Sequence, residues 1–253
     1  MSFDPAFFTT PAFLVTLAAA VFAALLRGFA GFGAALIFVP IASAAYGPSV
    51  AAPTLLLVDF VLTFPFVFGA ARRCRWPTVL PAALAATVVS PLGAWALAVG
   101  DRTTLRWAIS VAILLLVALM ASGWRYRSEP NVPVSAGVGV VAGFLSGFAQ
   151  ISGPPVIALW VSGPLPAATV RANMFVFFTL ITLASFTAYL VSGLFTAEVI
   201  LLVLAVAPAY ALALYAGSHI FGRTAGAGYR PLAYAAVALT AVTSLPLFDS
   251  FWR

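Results

Sequence analysis

The chain has 253 residues, of which 64% are apolar and only 18 are charged, against about 25% charged and about 45–50% apolar in an ordinary soluble domain. That balance excludes a water-exposed globule and points to an integral membrane protein, and the apolar runs have helical length, unlike the alternating decamers of an outer-membrane barrel. The net charge of +6 comes from arginine alone, with no lysine, and the arginines stand between apolar runs, where they set topology and do not suggest nucleic-acid binding.

The N-terminal stretch "MSFDPAFFTTP" has no basic leader and no small-residue cleavage site after its apolar run, so an uncleaved first helix is expected. Apolar runs follow at about 12–27, 29–46, 49–71, 77–99 and 104–123, then at 133–150, 153–163, 166–192, 197–221 and 231–249. A spanning helix needs roughly 20 residues, so 12–27 and 29–46 are marginal and 153–163 is too short to cross. "GFAGFG" (28–33) straddles the break between the first two runs, and "GFAQISGPP" (147–155) straddles the break between the sixth and seventh. One cysteine, Cys74 in the loop "RRCRWP", excludes an internal disulfide and a cysteine-built metal site, and is expected to be an unreactive free thiol.

The two glycine-rich stretches belong to an internal repeat. With Gly28 set on Gly147, Thr16, Ala20, Ala24 and Gly28 fall on Ser135, Gly139, Gly143 and Gly147. Both are ladders of small residues at every fourth position, which let another helix backbone approach closely. "YGPSVAA" (46–52) resembles "SGPLPAA" (162–168). Near the end of each half a glycine precedes an arginine at the same spacing, Gly93 before Arg106 and Gly217 before Arg230.

Arginine counts bear on how the glycines act. Four crossings per half would divide the arginines six against five. If each hexad reverses the chain, each half has five segments, and Arg72, Arg73, Arg75, Arg125, Arg127, Arg223 and Arg230 share one side while Arg102, Arg106 and Arg253 take the other. Seven against three favours the second arrangement, with both termini outside and "RRCRW" and "WRYRSE" in the cytoplasm. The expected fold is therefore an all-α polytopic membrane protein of two inverted repeats, residues 1–123 and 133–253, joined by a cytoplasmic linker at 124–132, with interrupted helices at the glycine-rich breaks.

Paired interrupted helices in inverted repeats mark many secondary transporters. Glycines at a break expose backbone N–H groups, tolerated at membrane depth only when buried in protein or lining a cavity. A helix restarting there turns its positive end toward the spot, and Pro154 and Pro155 suit a first turn. The alternative is that the glycines only permit close packing. The spacing GxxGxG, with no strand before it, is not the dinucleotide fingerprint.

Polar groups inside spans are functional candidates. Arg27 abuts the first hexad. Arg171 lies in 166–192 with Asn173 two residues on. Gln150 and Ser152 stand where a second copy of the first hexad would have glycine, with Gly153 next. Arginine forks suit oxyanions, though either arginine also fits a snorkelling or anchoring role. Asp59 is either a proton-coupling group or a structural partner of one of these arginines. Ser90 and Ser146 are weaker members, and His219 falls at a helix end where an interfacial role is expected.

These segments also resemble a known family. "RGFAGFGAALIFVP" (27–40), "GFAQISGPP" (147–155) and "RAN" (171–173) are similar to the paired motifs of the TauE/SafE sulfite exporters, bacterial membrane transporters, over nearly the whole chain. The resemblance implies transport of a small anion such as sulfite, a sulfonate or a related organosulfur compound. Gln150 and Ser152 depart from the family's glycines, which narrows the break and adds hydrogen-bond donors. The candidate substrate-binding set is Arg27, Gly31, Gly33, Gln150, Ser152, Gly153, Arg171 and Asn173, with Asp59 beside it. A passive anion channel is the alternative. With one histidine and six acidic residues, neither an enzyme nor a metal or cofactor site is expected; the partners are the small anion and the lipid bilayer.

Overall fold

The computed structural model describes residues 5–30, 33–63, 71–124, 126, 128–160, 165–221 and 242. Among them, every regular element is helical. A short 3₁₀ turn, Pro5–Thr9, precedes α1 (Pro11–Ala30), α2 (Ala34–Tyr46), α3 (Pro48–Thr63), α4 (Trp76–Val99) and α5 (Arg102–Ala121). These are followed by α6 (Val132–Ala149), α7 (Gly153–Trp160), α8 (Ala167–Val191) and α9 (Ala197–Phe221). The segment expected at 231–249 lies outside the described residues except for Val242.

The helix ends follow from local chemistry. Asn131 caps α6, its side chain accepting the Val134 N–H at 3.0 Å, with Pro133 in the first turn. Asp101 caps α5, its Oδ1 accepting from Thr103 N at 3.1 Å and Thr104 N at 2.9 Å. Bonds from Thr104, side chain first and then backbone, hold the Asp101 carboxyl below the usual carboxylate range. Glycines at positive φ, Gly47 at 95° and Gly193 at 66°, follow α2 and α8. Arg102 donates to the carbonyls of Ala44 and Ala45, both at 2.9 Å, which satisfies and neutralises the end of α2.

Among the described residues, six helical stretches are long and apolar enough to cross a membrane: Pro11–Gly28, Trp76–Val99, Arg102–Ala121, Val132–Ala149, Ala172–Val191 and Ala197–Gly217. Helix α4 shows how such a helix divides its faces. Leu80, Leu84, Val88, Leu92, Trp95 and Val99 form an exposed stripe at every third or fourth position, the face suited to lipid. The buried face carries smaller residues: Ala82, Ala83, Ala86, Ser90, Gly93 and Ala94. Bulk outside and smallness inside is the membrane arrangement, since lipid removes the penalty on exposed apolar groups and tight packing holds the helices.

The described residues form two compact units, and each takes segments from both halves of the chain. The first is drawn from Met1–Leu55, Asp101–Leu114 and Thr196–Arg253; the second from Leu56–Gly100 and Leu115–Phe195. In the first unit α1 packs along α9. A methyl placed on Gly217 of α9 would collide with the Leu25 carbonyl of α1. Thr16, Ala20 and Ala24 of the small-residue ladder are fully buried there. In the second unit α4 packs along α6. A methyl on Gly139, Gly143 or Gly147 would strike the backbone of Ala82, Ala86 or Ser90. From the other helix, a methyl on Gly93 would strike the Phe144 carbonyl.

Candidate functional site

The break after α6 lies inside the second unit. Helix α6 ends at Ala149, and Gln150 takes the left-handed conformation, φ 60°, the one positive-φ residue other than glycine among the described residues. A side chain there opposes an intrinsic preference of about 1–2 kcal/mol. The glutamine offsets it locally: its backbone N–H bonds the Ser146 carbonyl at 2.9 Å and its Nε2 donates to the same carbonyl at 2.7 Å. Nε2 also lies 3.4 Å from the Tyr189 hydroxyl of α8.

Beyond Gln150 the chain turns back. Helix α7 starts at Gly153, and its Ala158 carbonyl accepts at 3.0 Å from the backbone N–H of Tyr126, which precedes the start of α6. So α7 returns toward the end where α6 began. Its eight residues rise only about 12 Å, at about 1.5 Å per residue, far short of a roughly 30 Å hydrocarbon core. Pro154 and Pro155 donate nothing, so the open donors of its first turn reduce to the N–H groups of Gly153 and Val156. Ser152, 5% exposed, sits just before them.

A buried hydroxyl cluster adjoins the break. Ser185 of α8 lies 2.9 Å from Ser90 of α4 and 3.1 Å from Ser146 of α6, oxygen to oxygen. All three serines are at most 2% exposed, as is Tyr189, one turn along α8 from Ser185. Gln150, Ser146, Ser185, Ser90 and Tyr189 thus form one polar group in an otherwise apolar interior. Sequence reading singled out Gln150, Ser146 and Ser90 but missed Ser185 and Tyr189. Their spacing of four within "LASFTAYL" was the available signal, since it aligns two polar groups on one face of an apolar helix.

The other expected residues do not all gather here. Asn173 is fully buried near the opposite end of α8, where its Oδ1 accepts the backbone N–H of Arg75 at 2.7 Å. The helix between Asn173 and Tyr189 rises roughly 24 Å at about 1.5 Å per residue, so one small anion cannot touch both Asn173 and Gln150. Arg171 lies still nearer the start of α8; its side chain falls outside the described residues. Asp59 is half-buried in α3. Its neighbour Phe60 stacks on Phe186 at 5.7 Å, which sets Asp59 at the height of the Gln150 end of α8. Arg171 is roughly 22 Å from Phe186 along the helix.

In the first unit, Gly33 caps α2 at φ 97°, and its carbonyl accepts from Leu36 N at 3.1 Å, so the position requires glycine. Gly31 lies outside the described residues. Arg27 is half-buried in the last turn of α1, where a cation complements the helix dipole. Arg106, counted above only toward topology, is buried in α5. Cys74 is half-buried, and burial pushes its thiol above the ordinary range, which disfavours the reactive thiolate. His219 is exposed near the end of α9 with Nδ1 at 2.9 Å from the Tyr215 carbonyl. Among the described residues no three His, Cys, Asp or Glu side chains group as a metal site would need.

No curated protein and no solved structure matches the chain. The family model for the sulfite exporter TauE/SafE matches residues 16–244, from the first ladder position in α1 past both glycine-rich breaks and the "RAN" of α8. With nearly the whole chain matched and six stretches among the described residues fit to cross a bilayer, the protein is a multi-pass membrane transport protein that belongs to the sulfite exporter TauE/SafE family.

Proposed function

We propose that the protein is a secondary transporter of a small anion, a sulfite, sulfonate or related organosulfur anion, working by alternating access, with Gln150, Ser152 and Gly153 at its binding site. The observation that carries this reading is the break at Gln150: a left-handed residue between an apolar helix and a half-length one, beside a buried amide and hydroxyl group. Such a break is tolerated only when buried in protein or lining a cavity, and helix starts favour anions. Donors there replace part of the water an oxyanion sheds. Asp59, at the same height along α8, is the group we assign to proton coupling.

Two inverted repeats fit the same reading. Leu25 and Phe144, whose carbonyls meet Gly217 and Gly93, are separated by the same offset as the two hexads. Gly93 and Gly217 each precede an arginine at one common spacing. The first helix of each half thus meets a glycine helix of its own unit in the same register, as duplication of one ancestral segment would produce. Arg75 forms an ion pair with Glu129, which holds the basic loop before α4 beside the linker before α6. That proximity supports one cytoplasmic side for both, and both termini in the periplasm of a bacterial inner membrane. Reporter fusions after Trp76 and after Arg253 are then expected to report opposite sides; cytoplasmic signals from both would sink the inverted arrangement.

The binding assignment is tested by Gln150→Gly with Ser152→Gly. Glycine accepts the left-handed conformation without strain, so the yield of folded protein is expected to hold while two side chains leave the break. In proteoliposomes, the order in which sulfite, methanesulfonate and acetate compete for transport is expected to change, with at least one competitor shifting about tenfold, the equivalent of about 1.4 kcal/mol. An unchanged order of competition would assign both residues to structure alone.

A further inference from the structure

Among the described residues, the end of the second unit away from Gln150 holds two buried N–H groups that meet no acceptor. Trp160, the last residue of α7, is 1% exposed, and its Nε1 has no hydrogen-bond partner. Asn173 is 0% exposed, and its Nδ2 has none. The amide orientation follows from chemistry, because the Arg75 backbone N–H can only donate and therefore faces Oδ1. Both groups adjoin Phe177. The Trp160 ring meets Phe177 edge-on at 5.7 Å, and Phe177 lies one helical turn from Asn173. The stripe Val170, Asn173, Phe177 and Ile181 faces the apolar cluster that contains Trp160, Leu159 and Val79.

Buried polar groups in folded proteins nearly always find partners, and orphaned donors are destabilising. Two such donors beside one apolar cluster are suited to receive oxygen atoms from outside the chain. We propose that Trp160 Nε1 and Asn173 Nδ2 form a second anion station, distinct from the Gln150 break and near the end marked by Arg75, where a sulfur oxyanion is held by two neutral donors in an apolar surround. Neutral donors hold an anion more loosely than a guanidinium does, which suits a site that must release its occupant. Asn173 also ties the station to the start of α4 through Arg75, so occupancy bears on the packing of α8 against the loop before α4.

The inference rests on the anion reading above, and the test separates the two. The probes are sulfite and methanesulfonate, added to the full chain labelled with ¹⁵N at tryptophan in nanodiscs. The indole resonance that disappears in Trp160→Phe is that of Trp160. It is expected to shift saturably with sulfite or methanesulfonate and to keep doing so in Gln150→Gly. Asn173→Asp keeps the acceptor for Arg75 and replaces the donor by an anion, and is expected to abolish the shift; if it does not fold, the response of the Trp160 resonance in the unaltered chain and in Gln150→Gly decides. If vesicles transport sulfite or methanesulfonate while the Trp160 resonance stays still at saturating anion, the station is overturned and the transport reading stands. If neither anion is transported and the resonance stays still, both fall together.

Discussion

Gly143→Ala is expected to cause a sharp loss of folded protein, while Gly137→Ala, earlier on the same helix, leaves the yield unchanged or improved. At Gly143 the added methyl would lie 2.5 Å from both Cα and the carbonyl oxygen of Ala86. These are backbone atoms in the middle of α4, so no rotamer change relieves the overlap and the helices must separate. Gly139 and Gly147 make equivalent approaches one turn either side, so separation at one rung disturbs all three. Overpacking of this kind typically destabilises by about 1–3 kcal/mol, and rigid backbone leaves little room to relax. At Gly137 a methyl meets nothing within 4 Å. There the substitution gains helix propensity, about 0.5–1 kcal/mol. Size-exclusion profiles and thermal midpoints of the two variants in detergent check the pair. Equal midpoints would mean that α4 and α6 do not touch through this ladder.

The ladder was legible because it needs only residue size and a period of four, both of which survive in the string of letters. So was the stop after α6: "GFAQISGPP" places glycine and two prolines where one helix ends and the next begins. Height along a helix was harder to read. Gln150, Arg171 and Asn173 lie close together in the sequence, and their motifs invite grouping. The half-length α7 intervenes, however, and carries the chain back to the far end of α8 before Arg171 and Asn173 begin. Ser185 and Tyr189 escaped notice for the opposite reason. They are distant in sequence from Gln150, and α8 must run its full length to bring them beside it. A serine in an apolar helix also has a bland option, a bond to its own backbone one turn back, so its letter alone does not reveal a cross-helix partner. Nothing in the string of letters marks Trp160, whose burial and unpartnered N–H appear only in the fold.

Ser185→Ala is expected to be more damaging than the triple variant in which Ser90, Ser146 and Ser185 are all alanine. The Ser185 hydroxyl lies between the other two, at 2.9 Å and 3.1 Å, and removing it leaves two buried hydroxyls without their mutual partner. Each stranded group costs about 1–3 kcal/mol, less whatever a bond to its own helix carbonyl recovers. Removing all three exchanges a satisfied polar cluster for a small apolar one, a change that can approach neutrality when no group is left behind. The three effects should therefore be strongly non-additive, as expected for residues in one network. Thermal midpoints of the three single variants and the triple variant test the energetic side, and uptake into proteoliposomes tests function alongside it. If the cluster serves only to join α4, α6 and α8, the triple variant transports as well as it folds. If its hydroxyls help receive the anion at the Gln150 break, the triple variant recovers its midpoint while transport stays low, because no backbone group takes over donors lost from the centre of the helix packing. Additive losses across the three single variants would show instead that the serines act separately, and Ser185 would then have no special place between α4 and α6.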